Sequence, residues 1–358
     1  MRAIRVRRLR LLCAVATLTV APLGAAEAQS RLDRAARTDT SGDSIAAWTA
    51  TLRFGTLPDR IAAAGKIGLH PDPTSLPADT RRALIDELAR IGQALLYGRT
   101  VPGEEGVDAE SMGEYFLDLS TTTAHFAARE ARLALVYAVA VSRGVQRRVA
   151  RLGDDAVPPL LEMRRRGFSA GAALETLGLV WLRSDRTGAP LAFESRASIL
   201  RTLLAGVADD DFGTRTGAVT ALGLTRDPAF LPLAVHREAI ERRTGRTYIA
   251  NVLADDVIPV LEAAAAGLTA MESLAGTVRM LRLICDDAEP GARHGACTAI
   301  DNRFDAAIEH LRSGRTDAAR NVLESAIRHA DSALDVGAFS SDEHALIAGG
   351  VRLTLNRI

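Results

Sequence analysis

The chain has 358 residues, of which 47% are hydrophobic and only 4% aromatic, and its 44 basic residues balance its 44 acidic residues. Residues 1–28 hold five arginines and one glutamate, so the remaining chain carries a net charge of about −4. This mildly acidic balance gives no electrostatic basis for binding nucleic acid or an anionic membrane surface.

The first 28 residues have the pattern of a secretory signal peptide. Five arginines precede an apolar run from Leu11 to Ala26, and small residues stand at Ala26 and Ala28. The run is too short to span a bilayer, and no later segment is apolar enough to do so. We therefore expect signal-peptide cleavage near Ala28 and a secreted or periplasmic mature protein without a transmembrane segment. The Arg7-Arg8 pair leaves both the general and the twin-arginine export routes open.

Beyond a polar lead-in at 29–45, which we expect to be disordered, apolar residues recur with helical spacing. The segment from Asp79 to Gly98 is an example, with Asp79 as its predicted N-cap and Gly98 as its stop signal. Its apolar residues follow the three-and-four spacing of an amphipathic helix: Leu84, Ile85, Leu88, Ile91, Leu95 and Leu96. Because no segment shows the alternation of a strand, the sequence predicts an all-α protein.

Two segments of the chain recur without gaps. Residues 152–174 align with 252–274, and residues 60–77 align with 215–232. The first pair shares Asp155/Asp255, Val157/Val257, Pro159/Pro259, Leu161/Leu261, Glu162/Glu262, Gly167/Gly267, Ala170/Ala270 and Leu174/Leu274. The second pair shares Arg60/Arg215, Ala63/Ala218, Gly68/Gly223, Leu69/Leu224, Asp72/Asp227, Pro73/Pro228, Leu76/Leu231 and Pro77/Pro232. Both units read as helix–turn–helix hairpins, which bury their apolar faces only by stacking on neighbours.

The stretch 209–228 resembles the inner-helix pattern of the HEAT-repeat family. Acidic turn residues come first, followed by Arg215, the small Ala218, Leu222-Gly223 and a closing Asp-Pro. The resemblance implies a right-handed α-solenoid of antiparallel helix pairs that serves as a protein-binding scaffold. We assign residues 46–298 to this HEAT-like domain.

Residues 299–358 depart from the repeat pattern and predict a helical C-terminal cap. From Phe304 the sequence reads as two helices around Gly314. A last helix follows, opened by the capping-box pair Ser340 and Glu343.

Two serine motifs invite a hydrolase interpretation that their context does not support. Residues 167–171 spell GFSAG, the G-x-S-x-G nucleophile elbow, but a helical run precedes Ser169 where the elbow requires a strand. The repeat copy, GLTAM, replaces the serine with Thr269 and the second glycine with Met271. We expect Ser169 to cap a helix. Ser44, in GDSI, lacks the preceding apolar strand of the GDSL esterases and is also expected to be structural.

The sequence shows no motif for a metal or a cofactor. The seven histidines are scattered without ligand spacing, and no glycine-rich phosphate loop occurs. Outside the predicted signal peptide the cysteines are Cys285 and Cys297, an even pair in an oxidising compartment. A disulfide that staples a helix hairpin is the expected arrangement, and two buried free thiols are the alternative.

The densest basic cluster is the only candidate binding surface that the sequence offers. It comprises Arg147, Arg148, Arg151, Arg164, Arg165 and Arg166. The functional interpretation is an anionic docking site, and the structural alternative is a set of solvated cations at helix C-termini. We expect a non-catalytic scaffold that binds a protein or peptide partner on a concave helical face. The alternatives are an enzyme-associated or ligand-binding module whose site is assembled from distant residues, and a structural protein that self-associates.

Overall fold

The computed structural model describes residues 42–99, 101, 107–187, 189–286 and 288–358. These residues form helices joined by turns, with no strand among them, so the all-α prediction is confirmed for this part of the chain. The predicted signal peptide at 1–28 and most of the predicted lead-in at 29–45 lie outside the described residues. Within the described ranges, every helix is too short or too polar to cross a membrane.

The chain divides into two compact units, the first ending at Thr176 and the second comprising Leu177–Ile358. The boundary lies inside a helix, Ala170–Thr187. The predicted boundary at 298/299 also falls inside a helix, Ala292–Arg312. The sequence-based domains therefore stay predictions, distinct from the two units found here.

The described part of the first unit contains seven helices and the start of an eighth. They are α1 Gly42–Phe54, α2 Leu57–Gly68, α3 Ala78–Leu96, α4 Ala109–Thr123, α5 Arg129–Leu135, α6 Arg143–Val149, α7 Val157–Arg165 and α8 Ala170–Thr187. Short 3₁₀ segments lie at Pro73–Ser75, Val136–Ala138 and Ala150–Ala156. Helices α1 and α4 both pack against α2 and α3, and α3 also contacts α5.

Helix α3 shows why these segments are helical. Leu84, Leu88 and Ile91 are fully buried, as their three-and-four spacing predicts. The helix ends at Leu96, and Gly98 follows with a φ of 60°, the left-handed conformation that glycine adopts without strain. The predicted N-cap was two residues too late, because Pro77 occupies that position and Asp79 lies in the first turn.

The described residues of the second unit continue α8 and add nine helices. They are α9 Phe193–Val207, α10 Phe212–Thr225, α11 Leu231–Arg243, α12 Thr247–Asn251, α13 Ile258–Ala265, α14 Ala270–Ile284, α15 Ala292–Arg312, α16 Thr316–Asp335 and α17 Ser341–Leu355. A 3₁₀ segment spans Pro228–Phe230 and a π-helical segment spans Val252–Val257. The predicted start of α17 is confirmed, since Ser340 and Glu343 form a capping box.

Helix α17 packs on α11, α14 and α16. Two consecutive glycines allow this approach: a Cβ on Gly349 would lie 2.5 Å from Pro232 Cβ, and one on Gly350 would lie 2.5 Å from Thr277 Oγ1. The buried carboxylate of Asp342 pairs with the guanidinium of Arg237 on α11. Asp342 and Gly349 thus hold α17 against α11, and Gly350 lets it lie close to α14.

The second sequence repeat, 60–77 with 215–232, appears as the same local structure in each unit. We call α2, the 3₁₀ segment 73–75 and α3 the first copy, and α10, the 3₁₀ segment 228–230 and α11 the second copy. In each copy an aspartate side chain accepts a hydrogen bond that caps the 3₁₀ segment, from Thr74 N to Asp72 at 3.0 Å and from Ala229 N to Asp227 at 3.1 Å.

Each copy also contains an arginine that joins its two helices, which we call the arginine clamp. Arg60 donates from Nε to Gly55 O at 2.9 Å and lies 3.5 Å from Glu87 on α3. Arg215 donates from Nε to Asp209 O at 2.8 Å and lies 3.8 Å from Glu241 on α11. The arginine aligned by sequence thus makes the same two kinds of contact in both units.

The cysteine prediction also has structural support. Cys285, at the end of α14, and Cys297, on α15, are joined as a disulfide with their Cα atoms 6.1 Å apart. The bridge closes a short loop between the two helices, as the sequence predicts.

Candidate functional site

The six arginines predicted to form a docking surface lie at the ends of two helices of the first unit. Arg147 and Arg148 occupy the last turn of α6, and Arg151 lies in the 3₁₀ segment that follows. Arg164 and Arg165 occupy the last turn of α7, and Arg166 is its C-cap. This placement agrees with the favourable interaction of cations with helix C-termini.

Part of this basic charge is neutralised locally. Arg165 donates two hydrogen bonds of 2.7 Å to Glu162, and Arg166 pairs with the same carboxylate. These two arginines lower the pKa of Glu162 to about 2. The guanidinium of Arg166 also stacks 4.3 Å from the centre of the Tyr97 ring. The predicted docking surface stays a prediction, with its charge concentrated on Arg147, Arg148 and Arg151.

Ser169 does not occupy a nucleophile elbow. The residues before it form helix α7, not a strand, and Gly167 and Ser169 have φ values of 69° and 48°. Ser169 does begin α8, because its carbonyl accepts a hydrogen bond from Ala173 N at 2.9 Å. The expected hydroxyl cap was wrong: the described residues provide no hydrogen-bond partner for that hydroxyl. Its copy Thr269 does form the capping box, with Glu272.

A cavity of about 490 Å³ in the second unit is the strongest candidate site. Its walls come from three segments far apart in the sequence. They are the turn and 3₁₀ segment at 226–229, the stretch 265–279, and the C-terminal half of α17 together with Arg357. A volume in the range of about 300–1,000 Å³ is typical of small-molecule and cofactor sites.

The first wall is the turn that ends α10 in the second copy. Arg226 has φ 52° and ψ 22°, a left-handed conformation that costs a non-glycine residue about 1–2 kcal/mol. Asp227 follows and caps the 3₁₀ segment. Left-handed non-glycine residues concentrate at functional sites, where the surrounding structure holds them in place.

The carboxylate of Asp227 is buried and carries three roles at once. Besides the cap, it accepts a hydrogen bond from Trp181 Nε1 at 3.0 Å and pairs with Arg279 of α14. Trp181 is completely buried, so its indole fixes the orientation of the carboxylate. Arg279 is consequently held against the cavity wall with its charge compensated.

The end of α17 forms another wall of the cavity and contacts the segment 265–279. Thr354 hydrogen-bonds to Ser273 at 3.1 Å, and Arg357 donates to Ala265 O at 2.9 Å. Because this second contact is to a neutral carbonyl, it leaves the positive charge of Arg357 in place.

The cavity has an excess of positive charge. Three arginines and two carboxylates line it: Arg226, Arg279, Arg357, Asp227 and Glu272. Thr269 donates to Glu272 from its backbone N–H at 2.8 Å and its hydroxyl at 2.9 Å. These bonds hold the pKa of Glu272 below 4.5, so it is ionised at neutral pH. No described carboxylate forms an ion pair with Arg226 or Arg357.

Most of the remaining cavity surface is small and apolar, and Ser273 and Thr277 add two hydroxyl groups. Alanine and glycine residues form much of the apolar part, together with Pro228, Leu268 and Leu353. The small members are Ala229, Ala265, Ala275, Gly276 and Gly350. The site therefore combines guanidinium groups with an apolar floor.

A second cavity, of about 460 Å³, lies in the first unit and differs in charge. Its arginines Arg81 and Arg82 are matched by Asp86 and Glu130. Arg82 lies 3.9 Å from Asp86, and Arg81 donates to Thr74 O at 3.2 Å. This balance makes it a weaker candidate for a charged ligand.

Among the described residues, no three histidine, cysteine, aspartate or glutamate side chains come together as metal ligands. The sequence reasoning placed Asp227 and Pro228 in a repeat but missed the cavity. Arg226 stands where the first copy has Pro71, and this departure inside the aligned turn is the signal that could have marked the site. The comparisons with protein-family models, curated proteins and solved structures found no match, so the HEAT resemblance rests on the sequence alone.

Proposed function

We propose that the protein is an exported, non-catalytic helical-repeat protein that binds a protein or peptide partner. The resemblance to the HEAT family supplies the architecture of this proposal: a right-handed α-solenoid of antiparallel helix pairs, capped by residues 299–358. The disulfide between Cys285 and Cys297 supports export, because such bonds persist in oxidising compartments.

The observation that carries the proposal is the cavity of the second unit, with two arginines that no described carboxylate neutralises. Arg226 is exposed, and Arg357 is half-buried with its Nε atom buried and without a hydrogen-bond partner. A bound anion pairs with both guanidinium groups and supplies the hydrogen bonds that they lack. The carboxylates of a protein or peptide are anions of this kind, and they match the planar guanidinium group.

A second function has one observation in its favour. The cavity is assembled from segments that are distant in the sequence, as expected of a module that encloses a small anionic ligand. Both functions use the same site, and the size of the bound molecule separates them.

Site-specific photo-crosslinking tests the proposal. A photoreactive amino acid replaces Leu268, which lines the cavity, and for comparison Glu324, which is exposed on α16, in an envelope extract of the source organism. We expect one protein adduct at position 268 and none at position 324. An adduct at both positions, or at neither, contradicts partner binding at the cavity.

A third position tests the surface predicted from the sequence. The same amino acid at Arg147 reports on the basic residues of the first unit. If an adduct forms at 147 and not at 268, the partner binds the basic surface and the cavity has another role.

A further inference from the structure

We infer that the cavity of the second unit recognises the free C-terminal carboxylate of a peptide that ends in an apolar residue. This inference rests on the proposed function and names the chemical group through which the partner is held.

The charge of the lining selects a monoanion. Three arginines against two carboxylates leave an excess of one basic group in the cavity. A carboxylate compensates that charge completely. A phosphate monoester carries nearly two negative charges, and its second charge would lie near Glu272 without compensation.

Arg226 and Arg357 are the groups that meet the carboxylate. Arg279 lines the same cavity, but its charge is already paired with Asp227. Arg357 holds Ala265 O through one nitrogen and keeps its positive charge for a ligand. Arginine suits this task because its planar guanidinium matches the two oxygens of a carboxylate.

The apolar floor distinguishes a peptide terminus from an acidic side chain inside a sequence. A C-terminal residue carries its carboxylate and its side chain on the same Cα, so both enter one cavity together. Leu268 and Leu353, with the small residues between them, offer an apolar surface for that side chain. Capture of a C-terminal carboxylate is an established mode of peptide recognition.

Arg226 permits an unusually clean test. Because its φ is 52°, glycine fits the backbone better than arginine does. Arg226→Gly therefore removes the guanidinium without straining the fold, and a loss of binding is not attributable to unfolding. Arg226→Lys restores the charge.

The experiment measures fluorescence anisotropy with a fluorescein-labelled hexapeptide that ends in leucine. One form has a free carboxylate, a second has a C-terminal amide, and a third has the amide and an internal glutamate. We expect the free-carboxylate form to bind at least tenfold more tightly than either amide. Arg226→Gly and Arg357→Ala should each weaken its binding at least tenfold, and Arg226→Lys should recover part of it.

Arg352 is an exposed residue on α17, and Arg352→Ala is the matched control that should leave binding unchanged. Equal binding of the three peptides, binding unaffected by both arginine variants, or no binding at millimolar peptide overturns the inference. A crosslinked partner at position 268 together with any of these results leaves partner binding intact and refutes only the carboxylate. The reverse result, peptide binding without a protein adduct, refutes the protein partner and keeps the carboxylate site.

Discussion

The two copies of the repeat share their local structure and differ in their surroundings. Asp72 and Asp227 cap the same 3₁₀ segment after the same Asp-Pro turn. Asp72 is exposed, whereas Asp227 is buried by Trp181 and Arg279 and forms part of a cavity. The difference arises from neighbouring helices, above all α14, and not from the turn itself. A repeated element thus becomes a candidate site where other parts of the chain cover it.

The largest effect is expected from the arginine clamps. Glu241→Gln removes a carboxylate that is 1% exposed and leaves Arg215, 5% exposed, without its counter-charge. We expect a loss of about 3 kcal/mol in the free energy of unfolding. Glu87→Gln should cost about 1 kcal/mol, because Arg60 and Arg90 are more exposed and solvent stabilises them.

Urea unfolding measures this difference. The chain has two tryptophans, Trp48 in the first unit and Trp181 in the second. A Trp48→Phe background therefore reports on the second unit and the Glu241→Gln variant, and a Trp181→Phe background reports on the first unit and the Glu87→Gln variant. Equal losses for both variants would show that burial does not set the strength of the clamp.

The disulfide is expected to stabilise the second unit only. Replacing Cys285 and Cys297 with serine should cost about 3 kcal/mol, because it reopens a short loop in the unfolded chain. The described part of the first unit contains no cysteine, so a reductant should reproduce the loss in the second unit alone. The double-serine variant has no disulfide between these positions, so the same reductant should not destabilise it. If it does, the loss of stability under reductant does not come from the disulfide.

Substitutions of Asp72 and Asp227 distinguish the contribution of the cap from that of the surrounding residues. Asparagine caps a helix about as well as aspartate, so Asp72→Asn should change the free energy of unfolding by at most about 0.5 kcal/mol. Asp227→Asn keeps the cap but removes the ion pair with Arg279, and we expect a loss of about 2 kcal/mol. A similar change in both variants, measured by urea unfolding, would mean that the ion pair contributes little.

Glu87 should make the stability of the first unit sensitive to acid. Burial raises the pKa of Glu87, but hydrogen bonds from Arg90 and Tyr115 outweigh it, and the net pKa lies below 4.5. Since the folded-state pKa is depressed, the stabilisation is present above the unfolded-state pKa and is lost as the pH falls through the folded-state value. Between pH 6 and pH 3 the first unit should lose less stability in Glu87→Gln than in the wild type. Identical pH profiles of the urea midpoint would contradict this.

The smallest effect concerns the other repeat. Ser169 has a φ of 48°, whereas its copy Thr269 has a φ of −73° and forms a capping box. Ser169→Gly should stabilise the protein by about 0.5–1 kcal/mol, because glycine adopts positive φ freely. Thr269→Ala should destabilise it by about 1 kcal/mol through loss of the cap. Thermal unfolding measures both changes in stability. If both variants shift the melting temperature in the same direction, the two turns do not differ in the way described.

The sequence predicts the local features well because they depend on neighbours within a few residues. The helical class, the stop at Gly98 and the capping box at Ser340 all follow from spacing and cap chemistry. The alignment of Arg60 with Arg215 also identifies the clamp arginines. It does not identify their partners, because Glu87 and Glu241 are offset by one residue in the ungapped alignment.

The candidate site lay beyond sequence reasoning for a physical reason. Arg226 and Arg357 are 131 positions apart, and they line one cavity because Gly349 and Gly350 let α17 approach α11 and α14. Nothing periodic in the sequence encodes that approach. Charge density in the sequence instead favours Arg164–Arg166, where two of the three arginines share the single negative charge of Glu162.

Hydrogen–deuterium exchange with the free-carboxylate peptide tests the contrast between the two copies most directly. Peptide binding should protect amides in 224–230, 268–279 and 350–357, and should leave the matching turn at 69–75 unchanged. Protection of both turns alike, or of neither, would contradict the account that only the second copy has become a binding site.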